Sequence, residues 1–474
     1  MTSLNTTFLS PLVLGLVYYI YTKVRSKGPY SRLPLPPGPK RLPLIGNVLD
    51  LPHKFEWETY HKWCKDLSTD ILYLNFAGTN VVVLDTYEAA YDLLDKRSSI
   101  YSGRPQQIMA GELVGWDFGT GLQPYGEKWR KQRKLMHLAF HSTASTQFRP
   151  NLLRASRNLL NKILDCPDNI VANLRHMAGE TIMSITYGID VLPKNDFYIE
   201  TAERGARTLD TVVPGAFLVD SLPWLKYIPE FLPYTGFKRK AREWRKLVRM
   251  MVENPYKAVI RDITVAALTS CILGLLTKPD VLEKAQAEMD RVVRPGHLPE
   301  FEDEPSLPYI TAIVKESLRW FAVVPTAIPH LLEVEDEYNG YRLPAGSIVM
   351  GNSWAMLNDE KVYPDPSTFN PDRFMRDGKL NLDVRDPAHA CWGFGRRICP
   401  GRFIAFSSVW INVASIIAAF DIKKATDAHG NVIEPNPECV SGLVCGWKPF
   451  PCSITPRSKE MESLIRASAV REDL

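Results

Sequence analysis

Apolar positions recur at helical spacing along most of this chain, and where that period lapses, proline clusters or short alternating runs take over. The first departure is residues 9–21, a mostly apolar stretch followed by Lys23, Arg25 and Lys27. A signal peptide, a buried helix and a membrane anchor all produce such a stretch. No basic region precedes it, no clear small-residue cleavage site follows it, and positive charge collects on its far side. That pattern points to a retained single-pass anchor spanning residues 4–22, with the main body on the cytoplasmic face. Its short length suits a thin membrane such as the endoplasmic reticulum. Residues 32–47, RLPLPPGPKRLPLIGN, then read as a stiff, extended spacer, because clustered prolines fix φ and resist helix formation.

Beyond the spacer, residues 71–86 hold two β-rich runs around a Gly-Thr-Asn turn, which predicts a hairpin. Helices are predicted over 87–95, 125–140, 152–164, 173–187 and 201–212. Pro214, Pro223, Pro229 and Pro233 break the stretch 214–236. Its aromatic residues suit an apolar loop at a ligand entrance or membrane surface, and equally a core-packing loop. A basic helix over 237–251 leads to an apolar one over 256–276, followed by helices at 280–293 and 308–320. Short strands are expected at 341–343 and 347–351, and a last long helix at 402–420. No internal repeat is present, so the expected class is mostly α with minor β.

Composition narrows the function. With 474 residues, 45% of them hydrophobic, the chain can bury a large core. A net charge of +4 is too small an excess to argue for nucleic-acid binding. The eight cysteines lack both disulfide-scaffold density and CxxC pairs, and no GxGxxG loop offers a dinucleotide site. The cysteine in the most unusual setting is Cys399, inside WGFGRRICPG at 392–401. Three glycines there permit a tight turn close to a flat ligand, and the helix that follows presents its positive end to a thiolate. Arg396 and Arg397 are expected to lower the thiol pKa and to pair with ligand carboxylates. The plain alternative is a glycine-rich loop before a helix.

The segment resembles the haem-binding loop of the cytochrome P-450 family, FxxGxRxCxG, matched here by Gly395, Arg397, Cys399 and Gly401. The resemblance implies haem b, with Cys399 as the axial thiolate on its iron and Arg397 at a haem propionate. Trp392 replaces the usual Phe, another large aromatic able to cover the thiolate. ESLR at 316–319 resembles the ExxR motif, and FNPDRF at 369–374 resembles the later PERF segment with Asp372 in place of Glu. Together they imply a buried structural network of Glu316, Arg319 and Arg373. Trp129 and Arg133, four apart on one predicted helix face, resemble the WxxxR pair that meets a propionate. His330 is a further propionate donor or a satisfied core histidine.

On this resemblance the organisation is an N-terminal membrane anchor with basic flank at 1–27, a proline-rich hinge at 28–47 and a haem-thiolate catalytic domain at 48–474. Lys128, Lys131, Lys134, Arg396 and Arg402 would form a basic surface for an acidic electron donor. The family implies NADPH-cytochrome P-450 reductase and cytochrome b5 as partners, membrane lipid, dioxygen and a small, mostly apolar organic substrate. LPPGPKRLPLIGN, YSGRP and the region 220–245 are similar to basidiomycete monooxygenases of secondary metabolism.

One segment departs from the family. The distal helix usually carries (A/G)GxDTT, and the nearest match is IRDITVAALTS at 260–270. Asp262 and Thr264 fit, but Val259 and Ile260 replace the small pair and Ile263 stands where the oxygen-handling threonine belongs. An isoleucine cannot donate a hydrogen bond. The preceding stretch is also short by roughly 40 to 50 residues for a chain of this class, so helix I is expected to be shortened at its start. A haem-thiolate isomerase or dehydratase, and an inactive truncated haem-binding isoform, therefore stand beside the monooxygenase reading.

Overall fold

The computed structural model describes residues 30, 32–52, 54–188, 191–192, 196–211, 217–232, 235–253 and 258–470. The expected span at 4–22 and its basic flank lie outside the described residues. The proline-rich stretch is not a free spacer where it is described. Pro37 O accepts from Tyr73 N at 2.8 Å, Pro34 O accepts from Arg342 N at 2.8 Å, and Asn47 N donates to Asn75 O at 2.6 Å. Proline lacks an N–H but keeps its carbonyl, so a proline strand can still edge a sheet as acceptor.

Helix α1 (Glu56–Asp66) precedes the hairpin of β1 (Ile71–Phe76) and β2 (Thr79–Leu84). The register pairs Phe76 with Thr79, so the turn is Ala77-Gly78 rather than Gly-Thr-Asn, and Thr79 and Asn80 already belong to the ladder. Both turn residues have positive φ, 47° and 96°, the backbone that a two-residue hairpin needs to match strand twist. The predicted helix at 87–95 is one α turn, Tyr87–Ala90, that widens into a π turn over Tyr91–Lys96.

Further along come α2 (Glu127–Phe140), α3 (Arg149–Asp165), α4 (Ile170–Tyr187), α5 (Phe197–Thr211), α6 (Gly236–Glu253), α7 (Ala258–Thr277), α8 (Pro279–Val292) and α9 (Pro308–Trp320). Then β3 (His330–Leu331), β4 (Asp336–Tyr338), β5 (Tyr341–Leu343) and β6 (Ile348–Gly351) precede α10 (Arg402–Ala419). Strands β7 (Phe420–Lys424) and β8 (Cys452–Pro456) pair antiparallel, and α11 (Lys459–Val470) follows. The main sheet has the order β1-β2-β6-β3, with β2 and β6 parallel. In 217–232, Trp224, Tyr227 and Phe231 face solvent, while Val219 is buried and Phe217 and Leu225 pack against the same apolar cluster, so the segment packs on a core on one side and meets solvent on the other.

The main apolar core gathers α3, α4, α7, α8, α9 and α10. Helices α7 and α10 are apolar on nearly every face, which suits central helices surrounded by others. Among the described residues α10 is long and apolar enough to cross a membrane, yet 67% of it is buried within the protein, as befits a core helix. Helix α9 starts at Pro308, and its first free amides are capped from outside. The buried Glu288 carboxylate on α8 accepts from Tyr309 N and Ile310 N at 3.0–3.2 Å. Burial pushes the Glu288 pKa up and these amides oppose the push.

Glu316 and Arg319 on α9 are both completely buried. Arg319 Nε and Nη2 donate to the two Glu316 oxygens at 2.8 and 2.7 Å, a bidentate pair. Arg319 also donates to Leu357 O and Pro366 O. Glu316 further accepts from Asn370 N at 2.9 Å and from Arg373 Nε at 3.3 Å. Helix α9 and the segment 370–373 thus meet on one carboxylate. Glu316→Ala strands two guanidiniums in a dry interior and is expected to cost about 3–5 kcal/mol, read as a lower urea midpoint at unchanged slope.

Candidate functional site

The loop bearing Cys399 runs from the short helix Ala388–Cys391 to the first turn of α10. Cys399 N donates to Trp392 O at 2.8 Å, which closes the loop on itself. Phe394 is buried in the apolar cluster under the main sheet, and Trp392 in the helical core, so the loop is nailed at two points. Gly395 has φ +53°, and a Cβ there would sit 2.0 Å from Leu94 O, so no other residue fits without moving the backbone. Its N–H donates to Asp95 Oδ1 at 3.1 Å. Gly401, by contrast, faces open space.

Arg133 on α2 donates to Ile398 O, and Arg402 donates to Cys399 O at 3.1 Å. Burial pushes the Cys399 thiol up, while the Gly401 amide, Arg133 and Arg402 pull it back. The arginines beside the thiol in space are therefore not the expected Arg396 and Arg397. Arg396 is exposed and donates to the Tyr125 hydroxyl at 2.5 Å. Arg397 turns inward, with its guanidinium 4.2 Å from the Trp129 ring centre. It donates to Ser102 O at 2.8 Å, Gln123 O at 2.9 Å and Thr120 O at 3.3 Å.

A second buried arginine stands close by. Arg104 donates to Gly121 O and Pro329 O, both at 2.8 Å, and to Ile328 O at 3.1 Å. Burial drives its pKa down, and the charge of Arg397 drives it further. His330 is also buried, and its pKa is pushed well below the usual range by burial, then by Arg104. Its Nδ1 lies 2.7 Å from Tyr101 O, so Nδ1 carries the proton and donates. A neutral His330 therefore presents Nε2 as an acceptor, and would donate to a carboxylate only after gaining a second proton. Arg397 is lowered to about 10 by burial and then by Arg133.

These basic groups crowd together, and the carboxylate that acts on them, Glu333, opposes the lowering of Arg397 without pairing with it. Among the described residues, neither Arg104 nor Arg397 has an ion pair, and both spend their donors on main-chain carbonyls. Partial negative ends of carbonyls soften such burial, and an anionic ligand would relieve it further. A flat, dianionic group seated between this cluster and the Cys399 loop fits that chemistry.

The Cytochrome P450 family model matches residues 36–262 and 261–450. The chain belongs to the cytochrome P450 family. It is 43% identical to Cytochrome P450 monooxygenase 98 of Postia placenta, over 92% of this chain and 93% of the relative. It is 39% identical to Cytochrome P450 monooxygenase ple1 of Rhodocybe pseudopiperita, covering 96% and 94%, and 37% identical to Tryptamine 4-monooxygenase of Psilocybe cyanescens, covering 96% and 98%. The P450 family carries haem b with a cysteine thiolate on the iron, and a group with two propionates suits the chemistry of buried arginines that make no ion pair among the described residues.

Helix α7 places Thr264 in a buried position, whereas the side chain of Asp262 lies outside the described ones. Arg104 is the residue that reading the sequence missed. Its only local signal was the YSGRP stretch, because a single arginine in an irregular loop has no periodicity to mark it. Arg104→Leu is expected to weaken haem retention about tenfold or more, while Arg104→Lys keeps part of it. Haem transfer to apomyoglobin, followed by absorbance, measures both.

Proposed function

We propose that this chain is a haem-thiolate monooxygenase that inserts one oxygen atom from dioxygen into a small, mostly apolar organic molecule of fungal secondary metabolism. The observation that carries this reading is Cys399, held at the start of α10 in a loop whose geometry needs Gly395, beside buried arginines that make no ion pair among the described residues. When bound, haem b supplies activation of dioxygen with two electrons from a reductase. The chain's own residues do the rest. Cys399 would hold the iron, with Trp392, Gly395 and Gly401 shaping the loop around it. Arg397, Arg104, Trp129, Arg133 and His330 would orient the propionates, with His330 taking up a proton to do so. Glu316, Arg319 and Arg373 would keep the loop's foundation rigid. Thr264 on α7, with Asp262 two residues before it in the sequence, would serve proton delivery.

Electron supply fits an NADPH-cytochrome P450 reductase, with cytochrome b5 as a second donor. Lys128, Lys131, Lys134 and Arg396 are exposed, as such docking needs, although Arg402 is partly buried. The apolar residues 9–21 and the exposed Trp224, Tyr227 and Phe231 favour attachment to the endoplasmic reticulum membrane, with the body at 48–474 on the cytoplasmic face. The Psilocybe relative is named for tryptamine, which keeps indoles among the substrates to screen beside terpenoids and polyketides.

A haem-thiolate isomerase or dehydratase is the second reading, favoured by Ile263 at the threonine position. Turnover that ignores NADPH would select it. The first test is a carbon monoxide difference spectrum of the reduced chain in yeast microsomes. The expected result is a thiolate-type Soret band that Cys399→Ala abolishes; no such band, or one that survives the substitution, defeats the reading.

A further inference from the structure

Four consecutive residues assemble the whole basic cluster. Tyr101 O accepts from His330 Nδ1 at 2.7 Å, and Ser102 O accepts from Arg397 Nε at 2.8 Å. Gly103 bridges to Leu331, the residue after His330, and its carbonyl accepts from Leu331 N at 3.0 Å. Arg104 then lays its guanidinium against Ile328 O and Pro329 O, the two carbonyls just before His330. A Cβ at position 103 would stand 2.9 Å from Leu331 O, so the close approach of the two segments depends on glycine.

This strap fixes which nitrogen of His330 is the donor. Tyr101 is completely buried, and its hydroxyl donates to Asp336 Oδ2 at 2.9 Å, an oxygen that also pairs with Arg97 at 2.8 Å. The carbonyl that takes the Nδ1 proton is therefore held from behind, and neutral His330 is left with a lone pair on Nε2. Arg104 and Arg397 spend their donors on carbonyls and none on His330. The charged and titratable groups that reach the ring or its two arginine neighbours come from three places. Arg97, Tyr101 and Arg104 belong to one segment, Arg397 to the Cys399 loop, and Glu333 and Asp336 to the stretch after β3. Strand β6, which pairs with His330 through Val349, adds only apolar residues.

A carboxylate brought against Nε2 meets a lone pair, and two lone pairs repel unless a proton comes between them. We propose, resting on the haem-thiolate reading above, that His330 makes haem loading proton-linked: one proton enters from solvent with each haem and is shared between Nε2 and the nearer propionate. Burial, then the charge of Arg104, holds haem-free His330 well below the ordinary imidazole value, and a paired carboxylate raises it. Haem is therefore held most tightly below the haem-free value. That extra affinity is lost as pH rises through the haem-loaded value, by about tenfold per pH unit between the two. Arg104 and Arg397 grip the propionates across neutral pH, and His330 adds a grip that depends on acidity.

The test follows haem transfer from the full-length, haem-loaded chain to apomyoglobin between about pH 6 and pH 9. His330→Gln is the comparison, because its amide donates without titrating. The ratio of the two transfer rates isolates His330, since protons exchanged elsewhere are common to both chains. The expected result is a wild-type rate that climbs relative to the variant's by up to about tenfold per pH unit. A ratio that stays level overturns the proposal. A second measurement needs no substitution and stands even where the variant fails to fold. Wild-type chain reloaded with haem whose propionates are methyl esters is expected to lose the pH dependence that ordinary haem shows, and a dependence that esterification leaves unchanged overturns the proposal. Both measurements start from chain that gives the thiolate-type carbon monoxide band. Its absence overturns the haem-thiolate reading and the proposal with it, whereas a level ratio beside a normal band overturns the proposal alone.

Discussion

One carboxylate organises the half of this protein that carries Cys399. Glu316 is completely buried, and it is stable there because Arg319 grips both of its oxygens while Arg373 and an amide fill its remaining acceptor positions. A lone carboxylate in that position would be costly to bury, and so would either guanidinium. Helix α9 and the stretch that carries Asn370 and Arg373 are therefore interdependent. Helix α9 is fixed to the stretch 357–373, and α10 is tied to α9 through the Trp410 indole and Thr311. The Cys399 loop is strung between these fixed elements, so its shape follows from a charge balance formed well away from it.

The opposite electrostatic situation holds at the basic cluster. There, Arg104, Arg397 and His330 are buried beside one another with carbonyls as their only hydrogen-bonding company. The Glu316 network is complete within the chain, and the basic cluster is not. That contrast separates a structural device from a binding device more sharply than burial alone, since both groups are buried. Burial, then the charge of Arg104, holds His330 neutral, and its contact with the Tyr101 carbonyl sets its tautomer.

The sequence made the long helices legible because their boundaries carry local marks. Helix α9 was expected at 308–320 and is found there, opened by a proline and ended where Phe321 turns to an extended backbone. Helix α1 went unread although Trp57, Tyr60 and Cys64 are its buried face, because charged residues interrupt the pattern between them. Phe420 was assigned to the last helix, but pairing with Pro456 makes it a strand residue, and strand pairing across such a distance in the chain leaves no local trace. At the site, Cys399, Arg397 and the Glu316 pair were visible because motif spacing encodes them. Arg104 and Asp95 were not, because each matters only through what the folded chain brings alongside it.

The contact between Gly395 and Leu94 is backbone against backbone. The surface that Leu94 offers there is its carbonyl oxygen, which every amino acid possesses, while the surface offered by position 395 is the absence of a side chain, which only glycine possesses. Tolerance across this contact is therefore one-sided: position 94 is free to vary among apolar residues as its own core allows, and position 395 has no freedom at all. Drift in the surrounding segments can remodel what lies above the loop without ever reaching the spot where the loop is seated.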